Sequence, residues 1–202
     1  QTFEGISMEN IKKISGGVHS NRIHDSATKH VTGQAKYTDD ITEPVGTLHA
    51  YLGVSEVAHA NIKSIDLSEV EELPGVIGTI TASDIPGVND ISPTGQNDEP
   101  VFPIDKVQFH GQPLFAVIAK TRNIARHAAK LANIKYEILP HALNISSAQG
   151  ADYPHVTAPL KLERGNISNA VSNDMNRIKN KITIGGQDHM YLEGHIAFAI
   201  PG

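Results

Sequence analysis

A glycine pair followed by an amide side chain, Gly185-Gly186-Gln187, is the most distinctive polar motif of the sequence. Residues without a Cβ let the backbone approach a bulky ligand closely. The Gln187 amide can donate a hydrogen bond to an oxo or carbonyl oxygen without adding charge. The motif therefore indicates a neutral donor that faces a ligand, and the alternative interpretation is a turn with a polar tip.

The segment 184–201 joins this motif to an apolar, strand-like run that stops at Pro201, one residue before the sequence ends. A sequence that closes in the middle of a strand-like segment, directly after its main polar motif, is typical of the front portion of a larger protein. We therefore expect the site served by Gln187 to be incomplete in this chain.

Three side chains in the same segment, His189, Glu193 and His195, are of types that bind zinc. In a strand they would share one face with Gln187. Their spacing differs from the His-Glu-x-x-His pattern of zinc hydrolases. A polar strand face packed on a neighbouring domain is the alternative, so a metal hydrolase ranks last among the hypotheses.

Other motifs exclude several kinds of chemistry. Adjacent His24, Asp25 and Ser26 cannot form a catalytic triad, because triads bring together separated residues, and we interpret these three as a helix cap. Glycine-rich nucleotide loops and the Gly-x-Ser-x-Gly elbow do not occur.

A basic stripe, Arg122, Arg126 and Lys130, indicates a solvated helix face, or else a docking surface.

The composition is that of a globular protein, with 202 residues, 39% hydrophobic and 19% charged. A net charge of -5 argues against nucleic acid as a partner. The sequence contains no cysteine, so we expect no disulfide and no thiolate-held iron-sulfur cluster in this chain. No apolar stretch approaches the length of about 20 residues that spans a membrane, which predicts a soluble, cytoplasmic protein.

The expected elements combine strands with short helices. Residues 25–40 predict a capped helical turn ended by Gly33, after an N-terminal arm. Residues 68–73 predict a short acidic helix, and residues 121–133 a helix capped by Thr121. Residues 85–99, rich in Pro, Gly, Asn and Asp, predict a long surface loop. Strand patterns fall at 48–54, 60–67, 76–81, 114–119 and 134–139.

The later part of the chain predicts a change of domain. The continuous apolar strand at 114–119, the following helix and the strand at 134–139 form a βαβ-like pattern. From residue 142 to 180, Pro, Asn and Ser recur, which indicates a connector. A second domain is expected to begin near Ile182 and to be cut off at the end of the sequence.

Five motifs in order resemble the start of the molybdenum-binding subunit in the xanthine dehydrogenase and aldehyde oxidase family, especially its bacterial xanthine dehydrogenases. They are His24-Asp-Ser-Ala-Thr-Lys-His-Val-Thr-Gly-Gln-Ala-Lys-Tyr-Thr-Asp-Asp40, Leu73-Pro-Gly-Val76, Asp84-Ile-Pro-Gly-Val-Asn-Asp-Ile-Ser92, His110-Gly-Gln-Pro113 and Gly185-Gly-Gln-Asp-His-Met-Tyr-Leu-Glu193. The resemblance extends from about Gly16 to the last residue.

This resemblance implies an α+β fold. The N-terminal arm would be 1–24, the α/β-hammerhead domain 25–140, the connector 141–180, and the truncated first segment of the molybdenum-cofactor-binding domain 181–202. Gln187 matches the family glutamine that hydrogen-bonds to the apical oxo ligand of molybdenum, with Gly185 and Gly186 shaping the approach. The catalytic base and the substrate-orienting residues of the family have no counterpart here, so no catalytic residue is assigned.

The resemblance also implies a function for the full-length protein. Its molybdopterin centre would hydroxylate a purine, converting hypoxanthine and xanthine to urate with oxygen from water. Electrons would pass through iron-sulfur clusters and FAD, carried by a partner subunit or domain, to NAD, in a dimer of heterodimers. The alternatives are another molybdenum hydroxylase, such as an aldehyde oxidase, and a non-catalytic module that docks partner subunits.

Overall fold

The computed structural model describes residues 23–93, 95–150, 153–155, 157–165, 178, 180–188 and 194–201. Contacts group the chain into two units. One unit is Pro44–Ile182, and the other combines Gln1–Glu43 with Thr183–Gly202. The described residues contain no helix that is long and apolar enough to cross a membrane.

The first sheet of the larger unit has β5 (Pro113–Ala119) at its centre. Strands β1 (His49–Val54) and β3 (Val76–Ile80) pair with β5 on either side, both antiparallel. The side chains of Leu114, Phe115 and Val117 in β5 are buried. The expectation of an apolar strand covered on both faces is confirmed, because consecutive residues of β5, whose side chains point to opposite faces of the sheet, are buried.

The second sheet is built around β2 (Ala60–Asp66). It pairs antiparallel with the two-residue strand β4 (Lys106–Val107) on one side and with β6 (Asn133–Ile138) on the other. The strands predicted at 60–67 and 134–139 are thus confirmed to within a residue at each end, whereas β4 was too short for a sequence pattern to reveal.

The βαβ-like interpretation of residues 114–139 is wrong. Strands β5 and β6 lie in different sheets, and every strand pair of the two sheets is antiparallel. Both edges of β5 are already paired, with β1 and β3, so β6 has no place beside it. The strand order is set by pairings between distant residues, which local periodicity does not report.

Helix α3 (Arg122–Ala128) begins as predicted and ends early. The hydroxyl oxygen of its N-cap, Thr121, accepts a hydrogen bond from the backbone N–H of Ile124 at 3.2 Å. The predicted continuation to Asn133 is wrong, because a 3-10 turn (Ala129–Leu131) follows and Asn133 pairs with Asp66 as the first residue of β6. Sheet pairing therefore overrides the helical preference of the alanine-rich sequence.

The loop predicted at 85–99 is confirmed for its described residues, which form turns and bends. Three hydrogen bonds between two pairs of residues close it. The Ile91 N–H donates to the Glu99 carbonyl at 2.8 Å. The Asn89 amide donates to the Phe102 carbonyl at 2.7 Å and accepts from the Phe102 N–H at 3.2 Å. Side chains therefore replace the sheet or helix bonds that this polar segment lacks.

The main core lies around β5 and the short acidic helix α2 (Ser68–Glu72), which was predicted. An apolar side chain contributes about 1.5–3 kcal/mol when fully buried, so this cluster holds the unit together. The cluster of buried residues consists of Val70, Val107, Leu114, Phe115, Val117 and Ala128.

Among its described residues, the connector predicted at 141–180 contains a helix that the sequence did not reveal, α4 (Ile145–Gly150). Asn144 starts it, because its side-chain oxygen accepts a hydrogen bond from the Ser147 N–H at 2.8 Å. The described residues 157–165 form neither helix nor strand. The apolar periodicity of this segment is too weak to predict a helix, and the helix that forms is stabilised by its cap, Asn144.

The second unit contains helix α1 (Ala27–Thr32) and a 3-10 turn (Thr38–Asp40). Gly33 ends α1 in the left-handed conformation, with φ 72°, as predicted. The strand expected at 184–201 is wrong over 184–188 and 194–201, which form no strand. A strand needs a neighbouring backbone for its N–H and C=O groups, and no described residue provides one.

Candidate functional site

The Gly-Gly-Gln motif lies in an exposed, irregular segment. Gln187 is exposed and belongs to neither helix nor strand. Within the described parts of the chain, no hydrogen bond engages its side chain. An amide has two N–H donors and one acceptor oxygen. The donor that the sequence analysis assigned to Gln187 is thus available to a ligand.

The two glycines before Gln187 are not required by the local backbone. A Cβ built on Gly185 or Gly186 would meet nothing within 4 Å, and neither residue has a left-handed φ. Glycine is usually needed where φ is positive or where another group comes close. If these positions need glycine, the group that comes close lies beyond the described chain.

A cofactor site normally encloses most of its ligand between converging walls. Here Gly185, Gly186 and Gln187 are all exposed, and no described atom stands over the two glycines. The described residues therefore do not fit a molybdenum cofactor as an enclosed site. They offer at most one wall with a hydrogen-bond donor.

The zinc hypothesis stays a prediction. His189 and Glu193 lie outside the described residues, and His195 is exposed. Among the residues that the structure does describe, no group of three or more His, Asp or Glu side chains could hold a metal ion.

His24, Asp25 and Ser26 form a local turn at the start of α1. The Ser26 N–H donates to His24 Nδ1 at 3.1 Å, and the Ala27 N–H donates to the His24 carbonyl at 2.9 Å. Ser26 occupies the N-cap position without a side-chain bond to the helix. The three residues are therefore helix-start residues, as predicted, although the cap is made by the backbone and by His24.

The basic stripe is exposed at all three positions, Arg122 and Arg126 on α3 and Lys130 in the 3-10 turn that follows. The buried face of the same helix carries Ala125 and Ala128, each fully buried. The expected division between a solvated face and a core face is therefore confirmed, whereas a docking role stays a prediction.

Local hydrogen bonds stabilise the charge of three surface carboxylates. The Ser68 hydroxyl and N–H hold the pKa of Asp66 below its usual value. The Thr81 N–H and hydroxyl do the same for the pKa of Asp84. The Asn61 amide and the Lys63 ammonium lower the pKa of Glu137. The hydrogen bonds of these carboxylates stabilise turns and strands, and none of the three carboxylates lies in the Gly-Gly-Gln segment.

Tyr136 is shifted in the opposite direction. Burial raises its pKa, the Ser55 hydrogen bond opposes the rise, and the negative charge of Glu56 adds to it. Burial disfavours the charged phenolate. Tyr136 is therefore a neutral phenol next to Glu56.

A cavity of about 360 Å³ opens beside Glu56 in the larger unit. Its lining comes from three segments far apart in the sequence, and includes His59, His110 and His141. Sequence reasoning missed it, because the turn between β1 and β2, the loop before β5, and the end of β6 with the chain that follows it meet only in the fold. The His110-Gly-Gln-Pro113 motif was the one signal that marked any part of it.

Comparison with a family model gives a match over residues 32–140, more than half of the chain, to "Aldehyde oxidase and xanthine dehydrogenase, a/b hammerhead domain". The matched range contains all six strands and helices α2 and α3.

Individual proteins resemble a larger share of the chain. The xanthine dehydrogenase/oxidase of Felis catus is 41% identical over 88% of this chain and 13% of its own length. The xanthine dehydrogenase of Oryza sativa subsp. japonica is 42% identical over 85% of this chain, again 13% of its length. The chain therefore spans about one eighth of these relatives.

Among solved structures, the aldehyde oxidoreductase from Desulfovibrio desulfuricans ATCC 27774 superimposes with a TM-score of 0.58 at 34% identity. The superposition covers 65% of this chain and 16% of that structure. Sequence and structure thus point to the same group of proteins.

Proposed function

Because this chain belongs to the aldehyde oxidase and xanthine dehydrogenase family and contains its α/β-hammerhead domain, we propose that it is part of a molybdenum hydroxylase that acts on purines. The observation that carries the proposal is the combination of the family match with 41% and 42% identity to proteins named xanthine dehydrogenase. A proposal of domain bounds accompanies it: a hammerhead domain over 25–140, a connector over 141–180, and the start of the cofactor-binding domain at 181–202.

The proposed overall reaction replaces a purine C–H with C–OH. Water supplies the oxygen, and two electrons and two protons are released. The molybdenum cofactor supplies the two-electron oxidation when it is bound. The electrons would continue through iron-sulfur clusters and FAD to NAD. Since this chain has no cysteine, thiolate-held clusters would belong to another domain or subunit.

Gln187 is the residue of this chain that we propose to contact the cofactor. Its exposed amide has no partner among the described residues, so it can donate to an oxygen ligand of the metal from one side. A neutral donor would orient that oxygen and stabilise charge on it, an effect of at most about 3–4 kcal/mol. Gly185 and Gly186 would leave room for the approach.

Partners and location complete the proposal. An iron-sulfur and FAD-binding subunit or domain would receive the electrons, the full enzyme would be a dimer of heterodimers, and it would act in the cytoplasm. In this proposal, the chain contributes the hammerhead domain and one wall of the cofactor site. Other segments of the full-length protein contribute the catalytic base.

The test uses the full-length protein that contains this chain, purified with its partner subunit or domain. We expect molybdenum in the preparation, reduction of NAD with hypoxanthine and xanthine, and transfer of ¹⁸O from labelled water into urate. Oxidation of aldehydes without oxidation of purines would place the protein in the aldehyde oxidase branch. Absence of both activities in a molybdenum-loaded preparation would contradict the proposed function.

A further inference from the structure

The cavity of about 360 Å³ in the larger unit is of ligand size, and its lining combines polar and apolar groups. Polar groups come from Glu56, His59, His110 and His141, and the apolar part includes Ile138 and Leu143. Ile138 and Leu143 are exposed by 57% and 75%, so apolar surface at this opening faces solvent. The question is which chemical class these groups would recognise.

Backbone contacts fix the proton of two imidazoles. His59 Nδ1 lies 2.7 Å from the Pro140 carbonyl oxygen, and His141 Nδ1 lies 2.9 Å from the Leu139 carbonyl oxygen. A carbonyl oxygen can only accept, so each Nδ1 carries the hydrogen. In the neutral imidazole the other nitrogen, Nε2, is then an acceptor. Neither Nε2 has a hydrogen-bond partner in the described chain.

Glu56 adds a carboxylate to the same lining. It makes no hydrogen bond or ion pair with any described residue, and its negative charge is felt by the nearby Tyr136. An ionised carboxylate only accepts hydrogen bonds. The residues that line the cavity therefore include three with acceptor atoms, Glu56, His59 and His141, together with one negative charge and apolar side chains.

We propose that this cavity binds a primary ammonium or guanidinium group carried on an apolar stem. Such a group is cationic and has only donors, so it matches the acceptors of Glu56, His59 and His141. Its stem would pack on Ile138 and Leu143. The cation would come from a small organic amine or from a lysine or arginine side chain of a partner protein.

A metal ion fits the cavity less well than an organic cation. No three His, Asp or Glu side chains of the described residues are placed to hold one ion together. A metal needs several ligands at short, fixed distances, whereas an ammonium group can contact acceptors that are farther apart, and its stem uses the apolar wall.

The test titrates the full 202-residue chain with n-butylammonium, followed by two-dimensional NMR of the backbone amides. We expect saturable shifts at residues 56–59, 110 and 138–143, with a dissociation constant on the order of millimolar for so small a ligand. The neutral isostere n-butanol should bind at least about tenfold more weakly, because it lacks the charge.

Three variants locate the site. Glu56→Gln removes the charge and should weaken n-butylammonium binding by about three- to tenfold. His59→Asn keeps a donor where Nδ1 stood, and with it the bond to Pro140, but removes the Nε2 acceptor, so it should also weaken binding. His127→Asn, on the exposed face of α3, is the matched control and should bind like the unaltered chain. Thermal unfolding of each variant checks the fold.

A capped lysine peptide distinguishes the two sources of the cation. Tighter binding of the peptide than of n-butylammonium would support a partner side chain, and equal binding would support a small amine. Equal shifts with n-butanol, unchanged affinity in folded Glu56→Gln and His59→Asn, or saturation by Zn²⁺ without any response to n-butylammonium would overturn the proposal.

Discussion

Gly53 in β1 and Phe115 in β5 are register partners across the antiparallel ladder, and the Phe115 ring covers the backbone of Gly53. A Cβ built on Gly53 would overlap the ring atoms. Phe115 is 1% exposed and belongs to the main core, so the ring cannot move outwards without opening that core. Gly53 is thus a packing requirement of the hammerhead domain.

We expect Gly53→Ala to lower the free energy of unfolding by about 1–3 kcal/mol, because the added methyl overpacks the core. The matched control is Gly78→Ala in β3 of the same sheet, where a Cβ would meet nothing within 4 Å. That control should change stability by less than about 1 kcal/mol. Urea unfolding measures both, and equal losses would show that the ring does not restrict Gly53.

Gly75 combines a conformational and a steric constraint. Its φ is 94°, and an added Cβ would lie 2.8 Å from Ile124 Cδ1. We expect Gly75→Ala to cost more than Gly111→Ala, because Gly111 has a similar φ of 86° and no atom within 4 Å of its Cβ. The conformational part alone is about 1–2 kcal/mol.

A double-mutant cycle isolates the steric part at Gly75. Ile124→Val removes Cδ1, so it should cost less stability in the Gly75→Ala background than in the unaltered chain. Strictly additive losses of stability would mean that the positive φ of Gly75 alone, and not the Ile124 side chain, disfavours the substitution.

Thr121 is expected to stabilise α3 through its hydroxyl. Thr121→Ala removes the acceptor of the Ile124 N–H and should cost about 1 kcal/mol in unfolding experiments. Ser26→Ala is the control, because Ser26 holds the N-cap position of α1 without a side-chain bond. A loss at Ser26 as large as the loss at Thr121 would contradict the assignment of the cap bonds.

The Asp84 carboxylate is expected to make the stability of the fold sensitive to acid. Its carboxylate accepts from the Thr81 N–H at 2.7 Å and from the Thr81 hydroxyl at 2.8 Å, and these bonds lower its pKa from 3.8. A carboxyl whose folded pKa is below its unfolded pKa stabilises the fold above the unfolded value, and that stabilisation is lost as the pH falls through the folded pKa.

Unfolding experiments on either side of pH 3.8 test this relationship. Asp84→Asn should be less stable than the unaltered chain well above this pH, and the difference should shrink as the pH falls below it. Asp98→Asn, at an exposed position in the loop, controls for the loss of one negative charge. A stability difference for Asp84→Asn that does not vary with pH would contradict the prediction.

Sequence patterns correctly predicted the elements whose formation depends on residues that are close together in the sequence. The strand at 114–119, the acidic helix at 68–73 and the end of α1 at Gly33 depend on local apolar runs, charge and the presence of glycine, all of which are visible in the sequence. The pairing of β6 with β2 instead of β5, and the end of α3 before Asn133, depend on contacts across about 70 residues of chain. Such contacts are not visible in a local pattern.

The candidate site residues were likewise predicted where they are close together in the sequence and missed where only the fold brings them together. Gly185-Gly186-Gln187 was found because its residues are consecutive, and the family resemblance gave it a chemical meaning. The cavity at Glu56 was missed because His59, His110 and His141 are brought together only by the two sheets. The zinc hypothesis depended on a regular strand, and the described residues on both sides of the His189 to Glu193 segment do not form one.

The 202-residue chain expressed alone should contain no molybdenum and show no hydroxylase activity, since its described residues offer the cofactor only one exposed wall. Metal analysis of the purified chain by mass spectrometry checks this expectation. Molybdenum close to one ion per chain would show that the chain alone holds the cofactor.

The most direct test of the proposed role of Gln187 is the Gln187→Ala variant of the full-length protein, compared with Gln34→Ala, another exposed glutamine. The measurement is the Mo(V) electron paramagnetic resonance spectrum, together with kcat for xanthine, in preparations of equal molybdenum content. If Gln187 donates to an oxygen ligand of the metal, its variant alone will show an altered spectrum and a kcat lowered by about 10- to 1,000-fold. A spectrum and kcat equal to those of Gln34→Ala would contradict that role.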